Sequence, residues 1–395
     1  MMRFPIFVAL ALAGISGTTS AAPPERWGGA WGHATSPATR AVRDTLPAGS
    51  YRFRMRLSQS GDGVRLTFTN PEGAAPLEIG SASLAKAGTG FAIVPGSEKP
   101  VRFGGSASVR VLAGQTIVAD PVDLAVNGGE DVIVTVGTTA ESATVAGNAG
   151  FPAAFVAGPA DAEGSGMDAR KIRPFVTQIA VRNPASSCTI VTFGDSITEG
   201  ARGTRPDWRG WPGTLARRLV ESGKAHCGVV NMGISGNRVL RDGRGTAGVD
   251  RFERDVASVP GVSHLVLLEG INDIWKAGTP GEPSVSADDL IAGYRRLIDA
   301  AHARGIRVVG GTLTPGWGSK YLTPEMEATR QAVNRWIRTG HGFDAVIDFE
   351  AALRDTGTPP AIRPAYDSGD HLHPGDDGYE AMGRAVPLAL FRPTR

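Results

Sequence analysis

Four short segments, far apart in the chain, carry side chains that could act on one another: Gly194-Asp195-Ser196, Gly233-Ile234-Ser235-Gly236-Asn237, Gly270-Ile271-Asn272-Asp273 and Asp370-His371-Leu372-His373. A serine hydroxyl is a weak nucleophile until a base takes its proton, and an imidazole oriented by a carboxylate is a recurrent base for that step. Ser196 offers the hydroxyl, His373 the imidazole, and Asp370, three residues earlier, the carboxylate. The tetrahedral intermediate that follows needs hydrogen-bond donors aimed at its oxyanion. Three donors are at hand: the backbone N–H of Ser196, the backbone N–H of Gly236 and the side-chain amide of Asn272. At Gly236 the missing side chain lets the backbone come close to a substrate oxygen. Nucleophile, base, orienter and oxyanion donors together are the parts of an acyl-transfer site.

Each segment alone has a plainer reading. A serine after a strand often caps the next helix, an asparagine in a loop often makes an Asx turn, and paired glycines often mark a turn. The Ser196 segment is not the Gly-x-Ser-x-Gly elbow, since Thr198 stands at the second glycine. Gly233-x-x-Gly236 lacks the opening Gly-x-Gly of a dinucleotide fingerprint. His371 competes with His373 as base. Asp370, His371 and His373 could also be metal ligands, but no second cluster of ligands completes a shell, so neither metal nor cofactor is expected.

Taken together, Gly194-Asp195-Ser196, Gly236, Gly270-Ile271-Asn272-Asp273 and Asp370-x-x-His373 with Pro374 behind it resemble, in order and spacing, the four blocks of the SGNH hydrolases, also called GDSL esterases. The resemblance runs from about Cys188 to Phe391. It implies Ser196 as nucleophile, His373 rather than His371 as base, Asp370 as its orienter, and Ser196, Gly236 and Asn272 as the oxyanion hole. The implied activity is hydrolysis of carboxylic esters through an acyl-enzyme. That family covers acetyl esterases of plant polysaccharides, arylesterases, lipases and lysophospholipases. A carbohydrate O-acetylesterase is the expected member, because an added β-module on an exported esterase often borders glycans. Trp317 and Tyr321, in the loop after the fourth strand of the second half, could stack on a sugar face. An arylesterase or lysophospholipase of the same family, a catalytically silent glycan-binding protein and a metal-dependent phosphoesterase are the competing readings.

The elements that must position these residues follow from periodicity. Apolar, β-branched runs predict strands at Thr189–Phe193, Val229–Asn231, Leu265–Leu268, Val308–Thr312 and Ala345–Ile347. Helical patterns lie between and after them at Trp211–Ser222, Ala287–Arg304, Pro324–Thr339 and Asp376–Leu390. Continuous apolar strands alternating with helices predict a flavodoxin-like, doubly wound parallel sheet over residues 182–395. Each chemical segment follows a strand, which is where open α/β sheets build their sites.

Residues 22–181 have another rhythm. Tyr51, Phe53, Met55 and Leu57 alternate with polar residues, as do Val64, Leu66 and Phe68. Short runs follow at Leu77–Leu84, Phe91–Val94, Val101–Phe103, Val109–Leu112, Ile117–Val126 and Val132–Val136, divided by turn residues. This predicts an all-β sandwich or jelly roll. The Ala160–Met167 stretch reads as a loop near its end. Trp27-Gly28-Gly29-Ala30-Trp31 belongs either to the core or to a contact between the two halves.

At the start, Arg3, an apolar run from Phe4 to Ile15 and small residues to Ala22 have the order of a secretory leader, residues 1–21, with cleavage after Ala21. The expected location is therefore secreted or periplasmic, with no stable membrane anchor. Cys188 and Cys227 are the only cysteines, each just before a strand, so neighbouring strands would place them for a disulfide. A formal charge of +2 over 395 residues gives no electrostatic case for nucleic acid. The expected partner is a small-molecule or polysaccharide ester.

Overall fold

Strands that are apolar on both faces need cover on both faces, and five such strands build the sheet that carries the chemical segments. A computed structural model describes residues 25–35, 45–70, 75–143, 150–173, 175–182, 188–223, 227–277 and 279–391. The expected leader lies outside these residues.

The five parallel strands are Cys188–Gly194, Cys227–Gly233, Val262–Leu268, Arg307–Gly311 and Ala345–Ile347. Numbered along the chain, their order in the sheet is 2-1-3-4-5, the flavodoxin-like arrangement. All seven residues of Cys188–Gly194 are buried. Among the described residues, eight α-helices accompany the sheet: α1 (Ser196–Glu199), α2 (Gly210–Glu221), α3 (Gly248–Phe252), α4 (Ile271–Lys276), α5 (Ala287–His302), α6 (Pro324–Thr339), α7 (Phe349–Leu353) and α8 (Asp376–Ala385). The long ones lie where their periodicity pointed. Helix α5 opens on a capping box between Ser286 and Asp289, and α6 starts behind the Thr323 cap with Pro324 in its first turn. The last helix is shorter than expected. It ends at Ala385, ahead of Pro387, and Leu388–Leu390 form a separate 3-10 turn. Helices α1, α3, α4 and α7 are too short to show a period.

The N-terminal half is antiparallel. One sheet runs Trp27–Gly32, Val176–Arg182, Gly63–Thr69, Thr116–Val118. The larger one runs Asp168–Ile172, Phe151–Val156, Gly49–Arg56, Asp131–Thr138, Leu77–Lys86, Lys99–Pro100, and Val109–Val111 also pairs with Leu77–Lys86. Tyr51, Phe53, Leu66, Phe68, Val134, Val136 and Ile179 share the core between them. Three expected strands are corrected. Phe91–Val94 has only one bridge, Ala87 to Ile93, and Val101–Phe103 is irregular, with Val101 and Phe103 buried and Arg102 exposed. Ile117–Val126 is reduced to Thr116–Val118, since Pro121 lacks the N–H a ladder needs. Ala160–Met167 is a loop, and it joins two strands that pair with each other.

The two halves meet along Trp27–Gly32. A Cβ on Gly29 would stand 2.8 Å from Val230 Cγ2, and one on Gly32 would stand 2.8 Å from Val230 Cγ1. The glycines let this strand lie directly on the parallel sheet. Gly29 N–H donates to Pro260 O at 3.0 Å, Val229 N–H donates to Ser58 Oγ at 2.8 Å, and His33 bridges Asn231. The outer strand of the parallel sheet, Cys227–Gly233, is thereby covered. At its other neighbour, Cys188 and Cys227 pair in register and are joined by a disulfide, with Cα atoms 4.4 Å apart.

Candidate active site

The first three chemical segments leave the carboxyl ends of adjacent strands. Gly194 pairs with Gly233 on one side and with Leu268 on the other. Crowding explains the glycine: a Cβ on Gly194 would meet Leu268 O at 2.0 Å. Asp195 turns the chain from strand into α1, its Oδ1 accepting the Ile197 N–H at 2.9 Å. Ser196 is the first residue of that helix and its side chain is largely buried.

Ser196 Oγ lies 2.8 Å from His373 Nε2, and His373 Nδ1 lies 2.8 Å from Asp370 Oδ2. The other carboxylate oxygen accepts the backbone N–H groups of His373 at 2.8 Å and Leu372 at 3.1 Å. Asp370 therefore grips both the ring and the backbone of the same histidine. Partial burial works to raise the Asp370 carboxyl, but these hydrogen bonds and the nearby imidazole outweigh it and hold it below its ordinary value. A neutral ring facing a carboxylate carries its proton on Nδ1, so Nε2 is left to accept the Ser196 hydroxyl proton. His371 is turned elsewhere. Its backbone is left-handed, with φ of 58°, and its Nδ1 pairs with Asp367 Oδ2 at 2.6 Å. Among the described residues, no group of three or more His, Cys, Asp and Glu side chains is placed to hold a metal ion.

The donor segments are tied to each other. Gly236 sits at φ of 77°, a left-handed conformation that favours glycine, and a Cβ there would stand 2.6 Å from Arg244 Cδ. Asn272, the second residue of α4, donates from Nδ2 to Asn237 O at 2.9 Å. Its Oδ1 accepts the Trp275 indole N–H at 2.7 Å. The indole thus fixes which way the amide faces and leaves one Nδ2 hydrogen available. Asp273 accepts the N–H groups of Val239 at 2.8 Å and Leu240 at 3.0 Å, which anchors the loop after Gly236. Burial raises the Asp273 carboxyl to about 6 against the pull of those two bonds.

Sequence reasoning missed three residues here. Trp275 had a findable signal, since it lies one helical turn after Asn272. Glu199, the last residue of α1, accepts the Ser235 N–H at 2.9 Å and also its hydroxyl. Arg251 had no local signal. Its guanidinium is fully buried and donates to Gly194 O at 3.0 Å, Met232 O at 2.8 Å, Asn237 Oδ1 at 2.7 Å and Asp255 at 3.0 Å. One side chain thus ties the ends of two strands to the donor loop.

Tyr321 is half-buried, and its ring stands 5.0 Å from that of Trp275. Trp317 is half-buried in the same loop. This loop packs beside the histidine loop: a Cβ on Gly316 would stand 3.6 Å from Leu372 Cδ1.

Residues 192–381 match the sequence model of the GDSL-like lipase/acylhydrolase family. None of the curated proteins matches the chain. Among solved structures, a variant of an acetyl xylan esterase from Geobacillus stearothermophilus is 25% identical, with 52% of this chain and 96% of that chain covered and a TM-score of 0.40. A GDSL-like lipase from Bacteroides thetaiotaomicron is 19% identical, with 52% and 88% covered and a TM-score of 0.40.

Proposed function

We propose that this chain, which carries a GDSL-like lipase/acylhydrolase domain over residues 192–381, is a serine esterase that works through an acyl-enzyme. The observation that carries the reading is the unbroken line from Ser196 Oγ through His373 to Asp370, 2.8 Å at each step. In the first half-reaction Ser196 Oγ bonds to the ester carbonyl carbon while His373 Nε2 takes its proton. The carbonyl oxygen becomes an oxyanion and accepts hydrogen bonds from the Ser196 and Gly236 N–H groups and Asn272 Nδ2. Collapse expels the alcohol, which leaves with the proton from His373. Water then attacks the acyl carbon with His373 as base, releasing the acid and restoring Ser196. Asp370 keeps the ring oriented and stabilises the imidazolium without itself taking the proton.

For the substrate class, a carbohydrate O-acetyl ester fits best. Trp275 places an aromatic ring beside Asn272, Tyr321 stands 5.0 Å from that ring, and Trp317 lies in the same loop as Tyr321. Aromatic faces of this kind suit sugar rings. The same rings would accept an aryl ester, so p-nitrophenyl acetate is a suitable general probe. A secreted or periplasmic location is consistent with the Cys188–Cys227 disulfide and the N-terminal pattern.

The test is p-nitrophenyl acetate hydrolysis by wild type and Ser196→Ala. The variant should fall to background, with its melting temperature within a few degrees of wild type. Turnover at the wild-type rate would refute the mechanism. Release of acetate from acetylated xylan or pectin fragments, with lysophospholipid left intact, would support the substrate class. Preference for lysophospholipid would overturn it.

A further inference from the structure

Among the contacts between the N-terminal β-sandwich and the catalytic half, one residue reaches the helix that Ser196 begins. Arg173 lies between Asp168–Ile172 and Val176–Arg182, and its side chain is almost wholly buried. One guanidinium nitrogen donates to Ala34 O at 2.7 Å, which holds the arginine against its own half. The other pairs with Glu199 Oε1. Glu199 ends α1, the helix that Ser196 begins. Its second oxygen, Oε2, takes both the N–H and the O–H of Ser235, the residue before Gly236. Arg173 and Glu199 thus join the sandwich, the nucleophile helix and the donor loop in one buried line.

Resting on the esterase reading, we infer that Arg173 is a positioning residue for the oxyanion hole, and that the β-sandwich is a working part of the active site. The physical reason lies in Glu199. A carboxylate this deep in the protein is tolerable only when a counter-charge and hydrogen bonds replace its water. Arg173 supplies the counter-charge. Burial and the neighbouring Arg209 lower the Arg173 guanidinium to about 10, so it remains charged at neutral pH. With Arg173 removed, Glu199 holds an uncompensated charge. It must then take a proton or turn toward water, and either change loosens Ser235. Gly236 is the next residue, and its N–H must point where the oxyanion develops. Small losses of such alignment are felt in the transition state far more than in substrate binding.

The experiment compares wild type with Arg173→Met, Glu199→Gln, the double variant, Ser235→Ala and Ser196→Ala. Each is assayed on p-nitrophenyl acetate well below its own melting temperature. Arg173→Met should lower kcat about tenfold or more, with KM within about twofold of wild type. Glu199→Gln should lose less, because the carboxamide oxygen still accepts from Ser235 and needs no counter-charge. Adding Glu199→Gln to Arg173→Met should recover part of the lost kcat, since it removes the unpaired charge. A role in stability alone would lower the melting temperature and leave kcat at the wild-type value, and that result overturns the inference. So does a double variant no faster than Arg173→Met. Should Arg173→Met fail to fold, Ser235→Ala decides: it keeps the ion pair and cuts one bond to Glu199. Lower kcat at unchanged KM supports the inference, and wild-type kcat overturns it. Ser196→Ala separates the two levels. If it retains wild-type turnover, the esterase reading itself fails. If it is inactive while Arg173→Met keeps wild-type kcat, only the positioning role fails.

Discussion

In the proposed mechanism, the role of Asn272 depends on one atom's direction. A side-chain amide presents a donor on one side and an acceptor on the other, and only the donor can serve an oxyanion. Trp275 settles the choice by taking Oδ1. Asn272→Ala should therefore lower kcat by about 10²–10³ with little change in KM, the signature of a bond made in the transition state. Trp275→Phe, which keeps the ring and loses the indole N–H, should lower kcat by a smaller factor. Steady-state kinetics on p-nitrophenyl acetate read both, and an effect confined to KM would mean that Asn272 binds substrate. The two histidines of the last segment make a second contrast. His373→Ala should cost several orders of magnitude in kcat/KM, because members of a triad act as a unit. His371→Ala should cost little, since its ring is committed to Asp367 and is half exposed. Equal losses would contradict the assignment of the base.

At the level of elements, the site is held by buried charge as well as by strand ends. Asp195, Asp273 and Glu269 stand at the turns after the first and third parallel strands, near the buried Arg251. Burial, above all, lifts the Glu269 carboxyl to about 8, reinforced by Asp195 and Asp273 and opposed by Arg251. Its ordinary value in the unfolded chain is 4.5. A carboxyl raised on folding favours the folded state at low pH, and that contribution falls as pH rises from about 4.5 through about 8. Glu269→Gln mimics the protonated form and cannot ionise. Its melting temperature should match wild type near pH 5 and exceed it by several degrees at pH 8.5. A difference that stays constant across that range would show that Glu269 does not ionise differently in the folded state. The order of strands and long helices was legible in the sequence because periodicity and apolar runs are local signals. Helices α1 and α4 were not, although they carry Ser196 and Asn272. Four to six residues show no period, and what stabilises these turns is a cap from Asp195 and contacts with distant loops.

Across the whole molecule, the proposed reacting groups were more legible in the sequence than the residues that support them. Ser196, Asp370 and His373 stood out because hydroxyl, carboxylate and imidazole at those spacings have few other uses in combination. Arg173, Glu199 and Arg251 did not, because a buried ion pair forms between residues brought together only by tertiary structure. Nor did the chain reveal what its N-terminal sandwich does. From sequence, Trp27–Trp31 fits either the core or a contact between the halves, and the structure seats Gly29 and Gly32 on Val230 of the parallel sheet. The sandwich covers an outer strand and delivers Arg173 to Glu199. The proposed mechanism requires a serine that becomes covalently acylated, and intact protein can report this directly. Incubation with diethyl p-nitrophenyl phosphate should release one p-nitrophenolate per chain, abolish esterase activity and leave a single adduct that peptide mapping places on Ser196. Loss of activity without an adduct, or with the adduct on another residue, would contradict the account.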